Sequence, residues 1–144
     1  MIEGRFEFWI KYLKVVSLFL AFLGIIWAVL GSFDPFGIYD QLFAQTFWRE
    51  DQLPADAKQA FQFILGPLGA TNLAYFLLLY FVVKYAFPKR ELWAYHAVVY
   101  SFLAWFVLDT SMCLFYKGYF NILIANVPAL IGMMPVFFMK RYFN

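Results

Sequence analysis

The sequence predicts an all-α integral membrane protein, a polytopic four-helix bundle with both termini on the cytoplasmic side. Three observations predict it. Of the 144 residues, 65% are hydrophobic and 14% charged, where a soluble domain is about half apolar and a quarter charged. A chain of one domain's length cannot bury so much apolar surface in water, so its solvent is lipid. Four apolar runs are each long enough to cross about 30 Å of hydrocarbon. Finally, eight basic residues (Arg5, Lys11, Lys14, Lys84, Lys89, Arg90, Lys140 and Arg141) fall on one side of the alternation, and Arg49, Lys58 and Lys117 on the other. The positive-inside rule assigns the richer side to the cytoplasm.

The chain reads as a single transmembrane domain, 1–144. Ile2-Glu3-Gly4-Arg5 matches the factor Xa recognition tetrapeptide, and with no tag ahead of it the match reads as coincidence. From Phe6 to Lys14 aromatic residues alternate with charge, which suits the first turns of a helix rising through the headgroup layer. Helix 1 spans 13–31, without charge after Lys14, and Gly31-Ser32 ends it. It is too long for a signal-peptide core and lacks a small-x-small cleavage site, so it is expected to be retained.

The outer loop, 32–60, is the longest polar segment. Phe36, Tyr39, Leu42, Phe43, Phe47 and Trp48 fall near helical spacing within it, which predicts a short amphipathic helix on the membrane surface and an ordered loop. Helix 2 spans 61–87, with Gly66-Pro67 and Gly69 near its start, and Pro88-Lys89-Arg90-Glu91 turns the chain. Helix 3 is 92–116. A tight Lys117-Gly118 turn leads to helix 4, 119–139, which Pro128 and Gly132 interrupt.

Several function classes fall away. The net charge of +2 does not point to nucleic acid. Cys113 is the lone cysteine and His96 the lone histidine, so no intrachain disulfide, two-cysteine redox pair, multi-histidine metal centre or bis-histidine haem can form. The acidic residues Asp34, Asp40, Asp51 and Asp56 lack calcium-loop spacing and read as a solvated face. No nucleophile–His–acid set is present, no cofactor or metal is expected, and the chain leans away from being an enzyme.

The informative residue is Asp109, the carboxylate of helix 3. An ionisable group at membrane depth is costly enough to mark a functional site. It lies seven residues from the outer end of its helix, about 10 Å down. Asn126 on helix 4 and Asn72 on helix 2 reach a similar depth, Asn121 lies nearer the outer turn, and Trp105 shares the Asp109 face four residues away. These five are the candidate ligand-binding residues. One reading is an outer-leaflet cavity walled by aromatics, floored by Asp109, Asn72 and Asn126, and covered by the amphipathic loop. The other is that Asp109 hydrogen-bonds neighbouring helices together. Cys113 reads as a small packing residue. His96, near the inner end of helix 3, reads as an interfacial side chain.

Phe33-Asp34-Pro35-Phe36-Gly37-Ile38-Tyr39-Asp40 with Trp48, and Trp105-Phe106-Val107-Leu108-Asp109-Thr110 followed by Gly118 and Asn121, resemble a set of uncharacterised small four-helix bacterial membrane proteins. The architecture is also similar to DoxX-like proteins and, more loosely, to the EXPERA group of sterol isomerases and sigma-2-receptor-like proteins. That group has an aromatic first loop and a carboxylate-lined cavity opening into the membrane. Its isomerases use a histidine and paired acids in the bundle, whereas Asp109 has no second intramembrane acid. What the resemblance implies is therefore binding of a lipid or sterol-like ligand, in a bacterial inner membrane.

Three functions stand open. The first is a binding module for a membrane lipid or apolar small molecule. The second is an accessory subunit packed on the partner subunits of a larger membrane complex or on further copies of itself. The third is a small enzyme or transporter using Asp109 as its proton site.

Overall fold

A computed structural model describes residues 2–31 and 34–143. Among these, the ordered elements are helical: α1 (Ile2–Leu30), α2 (Ile38–Phe47), α3 (Ala55–Tyr85), α4 (Leu92–Phe115), a single turn α5 (Tyr119–Asn121), a π turn (Ile122–Asn126), α6 (Val127–Phe138) and a closing 3₁₀ turn (Met139–Tyr142). Four stretches among the described residues are long and apolar enough to cross a membrane: Glu3–Leu30, Ala55–Tyr85, Leu92–Phe115 and Tyr119–Tyr142. An all-helical chain suits lipid because each helix satisfies its own backbone groups. The apolar windows of these stretches are 17–22% buried, so most of their side chains face outward, where a membrane solvates them.

Two helices run beyond the lengths expected from hydropathy. α1 begins at Ile2 because its arm of alternating aromatic and charged residues continues the same helical ladder. α3 begins at Ala55, where the Lys58 N–H donates to the Pro54 carbonyl at 2.9 Å and Asp56 suits the positive end of the helix dipole. Ser32 and Phe33, beside the expected end of helix 1, lie outside the described residues.

The chain divides into two compact units, and α1 and α3 each contribute to both. The first unit is Met1–Ser17 with Leu78–Asn144. Its core is aromatic and aliphatic: Phe6, Leu13, Val83, Phe87, Ala94, Tyr95, Val136, Met139 and Phe143 are buried. Phe143 is the hub, with ring centroids 5.7 Å from Phe6, 4.9 Å from Phe87 and 5.3 Å from Tyr95. The Tyr12 hydroxyl donates to the Gly132 carbonyl at 3.2 Å, tying the start of α1 to α6.

The second unit is Leu18–Leu77. Here α1 and α3 approach backbone to backbone. A Cβ on Gly24 would lie 2.7 Å from the Leu73 nitrogen, and one on Gly69 would lie 2.6 Å from the Gly24 carbonyl oxygen. Small residues at a helix contact are how apolar helices associate in lipid, where burying side chains gains nothing over hydrocarbon. Ala21, Gly24 and Ala28 recur at spacings of three and four, one face of α1. α2 packs on the start of α3 through Phe43, whose ring lies 4.6 Å from Phe61, and Ala44 is fully buried. The Asp34 carboxylate starts α2 by accepting from the Ile38 N–H at 3.1 Å and the Asp40 N–H at 2.9 Å, two donors that a helix N-terminus otherwise leaves open.

Candidate functional site

The polar cluster lies within the first unit, on α4 and the segment that follows it. Two local features position it. α4 ends in a Schellman turn, with the Gly118 N–H donating to the Cys113 carbonyl at 2.8 Å and the Lys117 N–H to Leu114 at 3.2 Å. Lys117 takes the left-handed position there, with φ 61°. This stop reverses the chain in few residues, so α5 starts beside the last turns of α4.

The second feature is the π turn at Ile122–Asn126. Pro128 follows it with no N–H to give, and its ring crowds the carbonyl four residues back. The ladder widens just before that point. In a regular α-helix, Asn121 and Asn126 would point about 140° apart. A π turn, with its wider i→i+5 ladder, brings residues five apart closer to one face, and here both asparagines bond to α4. The sequence placed the interruption of the fourth span at Pro128 and Gly132; α6 instead runs through both, and the distortion is the π turn just ahead of Pro128.

Asp109 and Cys113 stand one turn apart on α4, as i, i+4 neighbours do. The Asn121 Nδ2 donates to Asp109 Oδ2 at 3.4 Å and contacts Cys113 Sγ at 3.2 Å. The Cys113 thiol closes the triangle on the same carboxylate oxygen at 3.6 Å. Asn126 Nδ2 donates to Thr110 Oγ1 at 2.8 Å. Asn126 is fully buried, and its Oδ1 has no hydrogen-bond partner among the described residues. Turning the amide over would exchange a lone acceptor for a lone N–H₂ group, so one end stays unmatched either way. An orphaned buried polar group costs about 1–3 kcal/mol.

Of the five residues the sequence singled out, Asp109 and Asn121 meet directly, and Asn126 joins the same pair of segments one step along, through Thr110. Trp105 is exposed, and its ring lies 5.9 Å from Phe102 and 6.5 Å from Phe106 on its own helix. Asn72 belongs to the second unit, half-buried on α3. Cys113 had read as a packing residue; its thiol instead bridges Asp109 and Asn121, a role visible in advance only as the i+4 spacing from Asp109. Ser111 bonds back to its own helix at Val107, and the His96 ring lies against Tyr95 and Tyr100.

The arrangement offers hydrogen-bond acceptors, with the one thiol held against the Asp109 carboxylate. Asp109 Oδ1 receives no hydrogen bond among the described residues, and Asn126 Oδ1 is a second open acceptor. Among the described residues, no group of three or more His, Cys, Asp or Glu side chains could hold a metal ion. No protein-family model, curated protein or solved structure matches this chain.

Proposed function

We propose that this chain is an integral membrane protein that binds a lipid or other apolar molecule carrying a hydroxyl or amine donor, at the polar cluster of α4 and the π turn. Asp109 and Asn126 supply the acceptors, Asn121 and Cys113 hold the Asp109 carboxylate in place, and Trp105 adds apolar wall on the same helix. The charge asymmetry supports cytoplasmic termini and a bacterial inner membrane, with the cluster in the outer leaflet.

The observation that carries this reading is the fully buried Asn126 with an unmatched carboxamide oxygen, sitting on a π turn. Interhelical glue alone would match both ends of the amide, because an open acceptor in a low-dielectric interior is costly. A distortion of the helix ladder beside an unmet polar group is a common mark of a binding position. Native mass spectrometry after mild extraction tests it, comparing wild type with Asp109→Asn. A small adduct reduced at least about tenfold in the variant, with the fold intact by circular dichroism, is the expected result; each acceptor to a donor is worth about 1.4 kcal/mol or more in such surroundings. An adduct indifferent to the substitution removes Asp109 from the site.

A second reading, an accessory subunit of a larger membrane complex, is favoured by the outward-facing aromatics Phe63, Phe115 and Phe138, each more than two-thirds exposed. Co-extraction with larger proteins in fixed ratio, unaffected by Asp109→Asn, is its signature.

A further inference from the structure

Away from the polar cluster, the first unit holds an open cleft of about 490 Å³ lined by Gly4, Arg5, Phe8, Trp9, Phe138 and Arg141. Its chemistry is sorted by position along two helices. Arg5 lies in the first turn of the stretch Glu3–Leu30, and Arg141 in the last turn of Tyr119–Tyr142. Both guanidinium groups therefore stand at the ends of membrane-crossing segments, at headgroup level. Phe8 and Trp9 come three and four residues after Arg5, and Phe138 three residues before Arg141. One helical turn, about 5 Å, separates each charge from the aromatic wall on the hydrocarbon side.

We infer that this cleft binds the headgroup of an anionic glycerophospholipid, with the phosphodiester between Arg5 and Arg141 and the first part of an acyl chain along Phe8, Trp9 and Phe138. Guanidinium is the cation best matched to phosphate oxygens, because its N–H groups form a planar fork. Arg5 is exposed and makes no ion pair or hydrogen bond among the described residues. Arg141 donates one hydrogen bond, from Nη2 to the Tyr142 hydroxyl at 3.1 Å, and lies over that ring at 5.0 Å. That contact fixes the guanidinium and leaves its other donors open. The nearby Glu3 is drawn to Arg90, 3.7 Å away, so it does not neutralise Arg5. The cleft is open beside Gly4, where a Cβ would meet nothing within 4 Å. The volume suits a headgroup and part of a chain. Basic pockets between helices on the cytoplasmic side are where anionic headgroups dock. Phe8 and Phe138, 59% and 69% exposed, are the faces an acyl chain would cover.

The inference rests on the membrane-spanning reading and is independent of ligand binding at Asp109. The test is native mass spectrometry of purified protein with phosphatidylglycerol or phosphatidylcholine supplied in mixed micelles, for wild type and the double variant Arg5→Gln, Arg141→Gln. Both side chains are on the surface, so the variant keeps its fold; Lys140→Gln serves as a loss of one neighbouring charge outside the cleft. The expected result is preferential retention of phosphatidylglycerol by wild type and by Lys140→Gln, reduced about tenfold in the double variant, with phosphatidylcholine unchanged. Equal retention of the two lipids, or an equal loss in Lys140→Gln, overturns it. If inorganic phosphate alone displaces phosphatidylglycerol and binds as a discrete adduct, the site takes phosphate and not lipid. Release of the protein from membranes by alkaline carbonate would instead overturn the membrane reading itself.

Discussion

The two units hold their helices together by opposite means. In the second, α1 and α3 meet at Gly24 and Gly69, where backbone lies against backbone and a single added carbon would come closer than 3.0 Å to main-chain atoms. In the first, α4 is joined to α5 and the π turn by carboxylate, amide, thiol and hydroxyl groups. Both solutions follow from lipid as a solvent: with no hydrophobic gain from association, helices adhere by close van der Waals fit or by hydrogen bonds. The difference lies in what is left over. A glycine contact is complete when formed and offers nothing to a third molecule. The polar contact leaves Asp109 Oδ1 and Asn126 Oδ1 open among the described residues, so it still has acceptors to offer a third molecule.

The comparison breaks most sharply at Gly69. Gly69→Leu forces α3 off α1, because the obstructing atoms are backbone and cannot rotate away. The expected loss is about 3 kcal/mol, at the upper end for overpacking, read as a lower midpoint in a denaturing-detergent titration followed by circular dichroism. An unchanged midpoint would show that the two helices do not depend on that approach.

Asn126→Leu sharpens the distinction between glue and ligand acceptor. Exchanging a half-satisfied buried amide for an apolar group of similar size removes one hydrogen bond and one orphan together, so stability should stay within about 1 kcal/mol of wild type or rise. Any adduct held at the cluster should be lost. A fall of more than about 1 kcal/mol with the adduct retained would make Asn126 glue after all.

The smallest expected effect is in the outer loop. Partial burial raises the pKa of Asp40 above the ordinary carboxylate value; Asp34 adds to the rise, and Lys58 opposes it. A raised folded-state pKa means that the folded form binds the proton more readily. Stability therefore falls as pH rises from the ordinary carboxylate value through the raised one, and the full cost is present at neutral pH. Asp40→Asn removes that cost. Amide exchange in α2 should slow about twofold at neutral pH, an effect below about 1 kcal/mol for a half-buried group at the membrane surface, and the protection should lose its acid dependence. Faster exchange in the variant would mean that the Asp40 charge supports the helix.

How much of the cluster was legible varies by residue. Asp109 stood out because a charge in an apolar run is costly wherever the run folds. Its meeting with Asn121 was within reach, since the short Lys117-Gly118 turn leaves the flanking segments little choice but to run side by side. Asn126 was singled out by its expected depth, but its partner Thr110 and its unmatched oxygen depend on a π turn that no residue pattern encodes; Pro128 only hinted at a break. Cys113 was misjudged because a lone thiol's company is invisible until helices are set against one another. The glycine contact had a readable signal in the spacing of Ala21, Gly24 and Ala28, and Gly66 with Gly69 marked its other side.

By itself the sequence determined the four long apolar helices and the short one between the first two, because hydropathy and period act locally along the chain. Local chemistry also set the stops: Asp34 at the start of α2, and Lys117-Gly118 at the end of α4. Only the tertiary structure decided which side chains share a hydrogen bond, where backbone touches backbone, and which acceptors go unmet. Those are properties of pairs of surfaces. A π turn or a Schellman stop rotates every residue beyond it, so a local distortion of one residue selects which side chains meet.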